Sequence, residues 1–143
     1  MKILIADKLS PKAIEALDKI GAEITSNPDL KAEELSDAIG NANVLIVRST
    51  KVYEETIEAG KSLELIIRAG AGVNNIDLEK ASSSGVYVAN CPGKNSDAVA
   101  ELTLGHIIAC DRRIVDASLD LRSGNWKKKA YQNAAGLKGR TLG

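Results

Sequence analysis

The feature that most constrains this chain is a repeated alternation across its first 90 residues. Short β-branched and leucine-rich runs occur at "KILIA" (2–6), "AEIT" (22–25), "NVLIV" (43–47), "LELIIR" (63–68) and "VYVA" (86–89). Helical patterns lie between them: "SPKAIEALDKI", "DLKAEELSDAI", "YEETIEAG" and "DLEKASSSG". Strands joined by helical crossovers run parallel, and a parallel sheet must be covered on both faces. Five strands with short crossovers predict an α/β fold with a flavodoxin-like parallel sheet, order 2-1-3-4-5, and helices on both faces.

Local signals support the helices. Ser10 then Pro11 reads as a cap followed by proline at the first helical position. Ala13, Ile14, Leu17 and Ile20 fall on one face of that helix. Gly21, Gly40, Gly60 and Gly85 each follow a helix, where a left-handed residue is easiest for glycine. The rhythm breaks at "NCPGKNSD", as at a linker or hinge. A single long helix is expected over 96–123, about 40 Å in length. Its first half, "AVAELTLGHIIAC", is apolar on nearly every face. A helix of that kind is normally buried all round, so cover from outside the first domain is expected. The expected organisation is a domain over 1–95 and a second segment over 96–143.

The 143 residues carry 19 basic and 19 acidic side chains. Zero net charge argues against broad attraction to nucleic acid or to an anionic membrane. No apolar run is long enough for a transmembrane helix. "MKILIADKLS" reads as a strand rather than a signal peptide. Cys91 and Cys110 have no metal or redox spacing, and reduced thiols in the cytoplasm are expected.

In open parallel sheets, ligands bind beyond the carboxyl ends of the strands. That edge carries Asp7-Lys8 after strand 1, Arg48-Ser49-Thr50 after strand 3, Arg68-Ala69-Gly70-Ala71-Gly72 after strand 4, and Asn90-Cys91-Pro92 after strand 5. Guanidinium groups bind carboxylate and phosphate through two parallel hydrogen bonds. Glycines beside them let backbone N–H groups approach an anion. The edge therefore reads as a pocket for a small acid, a carboxylate with or without a phosphate. The alternative is that each arginine pairs with a local carboxylate and is structural.

Other readings of the fold fail on residues. A receiver domain needs an aspartate where Arg48-Ser49-Thr50 stands. An FMN loop needs more serine and threonine than "DKLSPK" offers. "RAGAG" mimics a dinucleotide fingerprint, but it lacks the third glycine and follows the fourth strand. His106 reads as a packed or interface histidine, Trp126 as a packing anchor, and Lys127–Lys129 as a solvated face. Cys91 and Cys110 read as buried small hydrophobes rather than reactive thiols.

Five blocks then occur in order: "VRSTKV" (47–52), "IIRAGAGVNNIDL" (66–78), "VANCPGKNSDAVAELTLG" (88–105), "GNWKKK" (124–129) and "LKGRTLG" (137–143). Together they resemble the D-isomer-specific 2-hydroxyacid dehydrogenases, most closely members that oxidise 3-phosphoglycerate with NAD in serine biosynthesis. The resemblance implies a flavodoxin-like substrate domain and a Rossmann cofactor domain with a cleft between them. By position, Arg48, Ser49, Arg68 and the turn Ala69, Gly70, Ala71 and Gly72 would line the substrate side. The N–H groups of the turn would hold the substrate carboxylate. Asn95 would lie at the hinge. Lys128 would add positive charge, and the 96–123 helix would help to build a homodimer. Close relatives often have threonine where Ala71 stands, so a side-chain contact there is lost. "GRTLG" would open the first Rossmann strand, with the family's fingerprint and catalytic residues beyond it. The resemblance thus implies a substrate-domain portion of a parent enzyme, inactive by itself, with no catalytic, cofactor or metal residue of its own. A stand-alone flavodoxin-like module for small acids or a protein partner is the other reading.

Overall fold

The computed structural model describes residues 1–143. The chain divides into two compact units, Met1–Lys94 and Asn95–Gly143.

The first unit has five strands: β1 (Lys2–Ile5), β2 (Glu23–Ser26), β3 (Val44–Val47), β4 (Leu65–Arg68) and β5 (Tyr87–Asn90). They form one sheet in the order β2-β1-β3-β4-β5, and every pairing is parallel. This is the expected flavodoxin-like topology. Four helices make the crossovers: α1 (Pro11–Asp18), α2 (Leu35–Ala38, entered through a 3-10 turn at Ala32–Glu34), α3 (Glu54–Ala59) and α4 (Leu78–Ser83).

Period-two alternation sorts the strand side chains onto two faces. Leu4, Leu45, Val47 and Ile66 meet Leu35 of α2, Ile39 just past it, Ile57 of α3 and Ala81 of α4 in one core. Ile3, Ile5, Val44 and Ile46 form the core of the other face, against Leu9 and Leu17 around α1. The second face is the thinner one: Leu65 and Ile67 on it are only half-buried.

The expected caps form. The Ala13 amide donates to Ser10 Oγ at 3.3 Å, with Pro11 at the first helical position. Gly21, Gly40 and Gly85 take positive φ values of 71°, 48° and 72°. Gly60 does not: its φ is −76°. It is needed for space instead, because a Cβ there would lie 3.0 Å from Leu63 Cβ and 3.2 Å from Ile39 Cγ1.

The second unit contains α5 (Ser96–Asp111), α6 (Ile114–Arg122) and a 3-10 turn at Lys128–Tyr131. The single helix expected over 96–123 is thus two helices. The break is at Arg113, the only non-glycine residue with positive φ, at 50°. Three contacts of its side chain hold it there. Nε donates to Asp116 Oδ2 at 3.3 Å and Nη1 to the Ala130 carbonyl at 3.3 Å. The guanidinium also lies 4.9 Å from the centre of the Tyr131 ring. No helix is long and apolar enough to cross a membrane.

Candidate functional site

The carboxyl edge of the sheet brings the β1, β3, β4 and β5 turns side by side. Val47 pairs with Arg68 across β3 and β4. Arg48 and Ala69 therefore open adjacent turns, on strands spaced about 4.8 Å apart. The site residues Arg48, Ser49, Arg68, Ala69, Gly70, Ala71 and Gly72 all lie along this edge. Asn95 and Lys128 belong to the second unit.

Three polar side chains brace the turns. Asp7, just past β1, reaches under the β3 turn. Its Oδ2 accepts from the amides of Arg48 at 2.8 Å, Ser49 at 3.1 Å and Thr50 at 3.0 Å. Asn75 Nδ2 donates to the Thr50 carbonyl at 2.8 Å and ties the β4 turn to the β3 turn. Asn90 Nδ2 donates to the Ala71 carbonyl at 2.7 Å and ties β5 to the same turn. The sequence places Asp7 and Asn90 on this edge but assigns none of the three a role. The available signal was weak: Asp7 is an acid at a strand's carboxyl end, beside a turn rich in N–H donors.

Asp7 titrates accordingly. Its partial burial works to raise the pKa. The amides of Arg48, Thr50 and Ser49, with the Thr50 hydroxyl, outweigh this and hold the carboxyl below its ordinary value.

Arg48 and Arg68 do not pair with acids. The chain's ion pairs are Lys2–Glu23, Lys80–Glu58, Arg113–Asp116 and Lys127–Asp120. Arg48 is exposed. Arg68 folds back over its own turn, and its buried Nε has no acceptor. A Cβ on Gly70 would lie 2.6 Å from Arg68 Cζ, so the glycine makes room for the guanidinium. Within the turn, the Gly70 amide bonds the Arg68 carbonyl at 2.8 Å and the Ala69 amide bonds the Val47 carbonyl at 2.7 Å. The amides of Ala71 and Gly72 have no acceptor in the chain. The edge thus combines two arginines that form no ion pair and a turn with free N–H donors. Chemically it can hold a small anion.

The turn does not lead into a helix. Ile76 bridges to Val52, and α4 starts only at Leu78, with Asp77 accepting from the Lys80 amide at 2.9 Å. In the second unit, Lys128 lines a cavity of about 440 Å³ with Trp126, Lys127, Tyr131 and Leu121 among its walls. Lys127 donates to Asp120 at 2.9 Å, and the Tyr131 hydroxyl to the same carboxylate at 2.5 Å. Several readings of this region need correction for the chain by itself. Trp126 is 77% exposed rather than a packed anchor, Cys110 is exposed rather than buried, and His106 is exposed rather than packed within the chain. The α5 surface that carries His106 and Cys110 is apolar in sequence but uncovered. Cys91 is half-buried.

Comparison with known proteins sets this edge in a family. A family model described as "D-isomer specific 2-hydroxyacid dehydrogenase, catalytic domain" matches residues 3–139. A hydroxypyruvate reductase from Thermotoga maritima is 43% identical over 99% of this chain and 46% of its own length. A D-3-phosphoglycerate dehydrogenase from Methanocaldococcus jannaschii is 43% identical over all of this chain and 27% of its own length. Among solved structures, NAD+-bound 3-phosphoglycerate dehydrogenase from Entamoeba histolytica is 38% identical, with a TM-score of 0.70 over 78% of this chain and 39% of that one. The chain spans less than half the length of each of these relatives.

Proposed function

The chain belongs to the D-isomer specific 2-hydroxyacid dehydrogenases, and from that premise we propose that its first unit is the substrate-binding half of an NAD-linked oxidoreductase. The substrate we assign is 3-phosphoglycerate, oxidised to 3-phosphohydroxypyruvate in the route to serine. Residues 1–95 would form the substrate domain, and residues 96–143 would open the cofactor domain with Asn95 at the hinge. The observation that carries this reading is the β4 turn. Arg68 has no acidic partner, and the Ala71 and Gly72 amides have no acceptor. A substrate carboxylate would accept from those amides. Arg68 and Arg48 would neutralise its charge, with Ser49 as a further donor. A guanidinium in such a site gives planar, charge-assisted hydrogen bonds that an ammonium cannot.

NAD supplies the hydride acceptor in this chemistry. The Gly70–Gly72 turn does not fit a dinucleotide. Arg68 covers Gly70, and the turn runs into the Ile76 bridge instead of a helix N-terminus. These residues therefore bind and orient substrate. The two cysteines, neither in a disulfide, suit a reducing cytoplasm. A second copy of the chain is the proposed cover for α5.

Titration of the 15N-labelled chain with 3-phosphoglycerate tests the reading. The expected result is saturable shifts at Ala71, Gly72 and Arg68, abolished in Arg68→Met. Glycerate, lacking the phosphate, should bind more weakly. Shifts confined to other residues, or unaffected by Arg68→Met, would overturn it. A stand-alone small-acid module would bind equally well, so NAD reduction by a longer chain that continues past Gly143 separates the two readings.

A further inference from the structure

The β3 and β4 turns lie side by side and both offer successive backbone amides, yet only one is free. In the β3 turn, one carboxylate oxygen of Asp7 takes all three N–H groups of Arg48, Ser49 and Thr50, at 2.8, 3.1 and 3.0 Å. Successive amides converging on one point form an anion-binding concavity. Here the anion is part of the chain. In the β4 turn, Ala71 and Gly72 have no such occupant.

We infer that Asp7 is a specificity-determining residue: a built-in anion that fills the β3 turn and so directs a bound acid to the β4 turn. That the acid at the β4 turn is the substrate rests on the proposed function; the occupancy of the β3 turn stands on geometry alone. Two consequences follow from the charge. A second carboxylate or phosphate cannot enter the β3 turn while Asp7 is ionised there. The Asp7 charge also opposes any anion drawn too far toward Arg48, so the Arg48 side chain contacts the ligand from the rim while its backbone is shut. Asn75, bonded to the Thr50 carbonyl at 2.8 Å, holds the two turns in register.

The test is an amide-resolved titration with inorganic phosphate at neutral pH. The unmodified chain should show no saturable shift at the Arg48, Ser49 or Thr50 amides. Asp7→Ala should acquire one at all three, and formate should compete with phosphate for it. Asp7→Asn keeps a neutral acceptor on the same carbon framework, so it should fold normally and bind phosphate at this turn far more weakly than Asp7→Ala. Phosphate shifts at residues 48–50 in the unmodified chain would overturn the inference. So would their absence in a folded Asp7→Ala chain. If Asp7→Ala does not fold, Asp7→Gly with formate present is the substitute. Failure of formate to restore folding would likewise overturn it. Loss of binding at Ala71 and Gly72 in every variant would instead remove the proposed substrate turn, leaving the Asp7 result intact.

Discussion

At the scale of single residues, Asp7 and Gly70 make separable predictions. A carboxylate that accepts three amides is stabilised in its charged form. Its folded pKa lies below the ordinary value. The stability it contributes is therefore fully present above the unfolded pKa, near 4. It is lost as pH falls through the lower folded value. Asp7→Asn should destabilise the first unit by roughly 1 kcal/mol at neutral pH, solvent exposure having weakened the charge-assisted bonds. Urea midpoints of the two proteins should converge as the pH is lowered into the acid range; a gap that widened there would refute the assignment. Gly70 works the other way. Its φ is not in the left-handed region, so Gly70→Ala has no backbone strain to bear. The added methyl meets only the far end of the Arg68 side chain, which can swing aside. Thermal stability should change by no more than about 0.5 kcal/mol, while 3-phosphoglycerate binding weakens at least several-fold. Equal binding by Gly70→Ala would mean that the guanidinium position is irrelevant. The sequence made Arg48, Arg68 and the glycine turn legible, because strand ends and residue types place them. It placed Asp7 at the same edge but left its role unread, because that role depends on three hydrogen bonds between residues 41 to 43 positions apart.

At the scale of elements, the sheet was legible because alternation, β-branching and period-two burial all point to one topology. Two features were not. Gly60 looks like a helix-stop glycine, but what it provides is room between Leu63 and Ile39. Gly60→Ala should therefore cost about 1–3 kcal/mol by overpacking, although its backbone angle suits alanine. Gly85→Ala, with open space around it and φ of 72°, should cost about 1 kcal/mol from strain alone. A core Leu63→Ala change should relieve part of the Gly60→Ala cost and none of the Gly85→Ala cost, measured as a double-mutant cycle. The second feature is the break at Arg113. No proline or glycine marks it, because the contacts that hold it reach Asp116, Ala130 and Tyr131. Arg113→Ala keeps the strained angle and loses the contacts, whereas Arg113→Gly loses the contacts but relieves the angle. Hydrogen exchange across 114–122 should therefore accelerate more in Arg113→Ala than in Arg113→Gly. The reverse order would show that the left-handed angle is not what those contacts sustain.

At the scale of the whole molecule, the two units differ in how well they bury their apolar residues. The first buries a cluster of apolar side chains on each face of its sheet. The second leaves Leu102 61% and Leu119 58% exposed, with Val99, Leu104, Ile108 and Val115 also open. They lie all round α5 and on α6, and monomeric proteins rarely leave large apolar patches uncovered. Covering the exposed half of such a side chain contributes on the order of 1 kcal/mol. The two or three that one side of α5 presents on each of two copies would offer roughly 4–6 kcal/mol, against an association cost of about 4–15 kcal/mol. The margin is small, so the chain should form a concentration-dependent dimer, dissociating in the micromolar range or above, rather than a permanent one. Sedimentation velocity over a hundredfold concentration range should show the shift. Leu102→Asp should abolish it, since a carboxylate in that surface is costly to desolvate. The amide spectrum of residues 1–94 should be unchanged in the same variant, because the first unit has its own core. A Leu102→Asp chain that still dimerises would move the interface off α5. Loss of the first unit's spectrum would show that the two units depend on each other for folding.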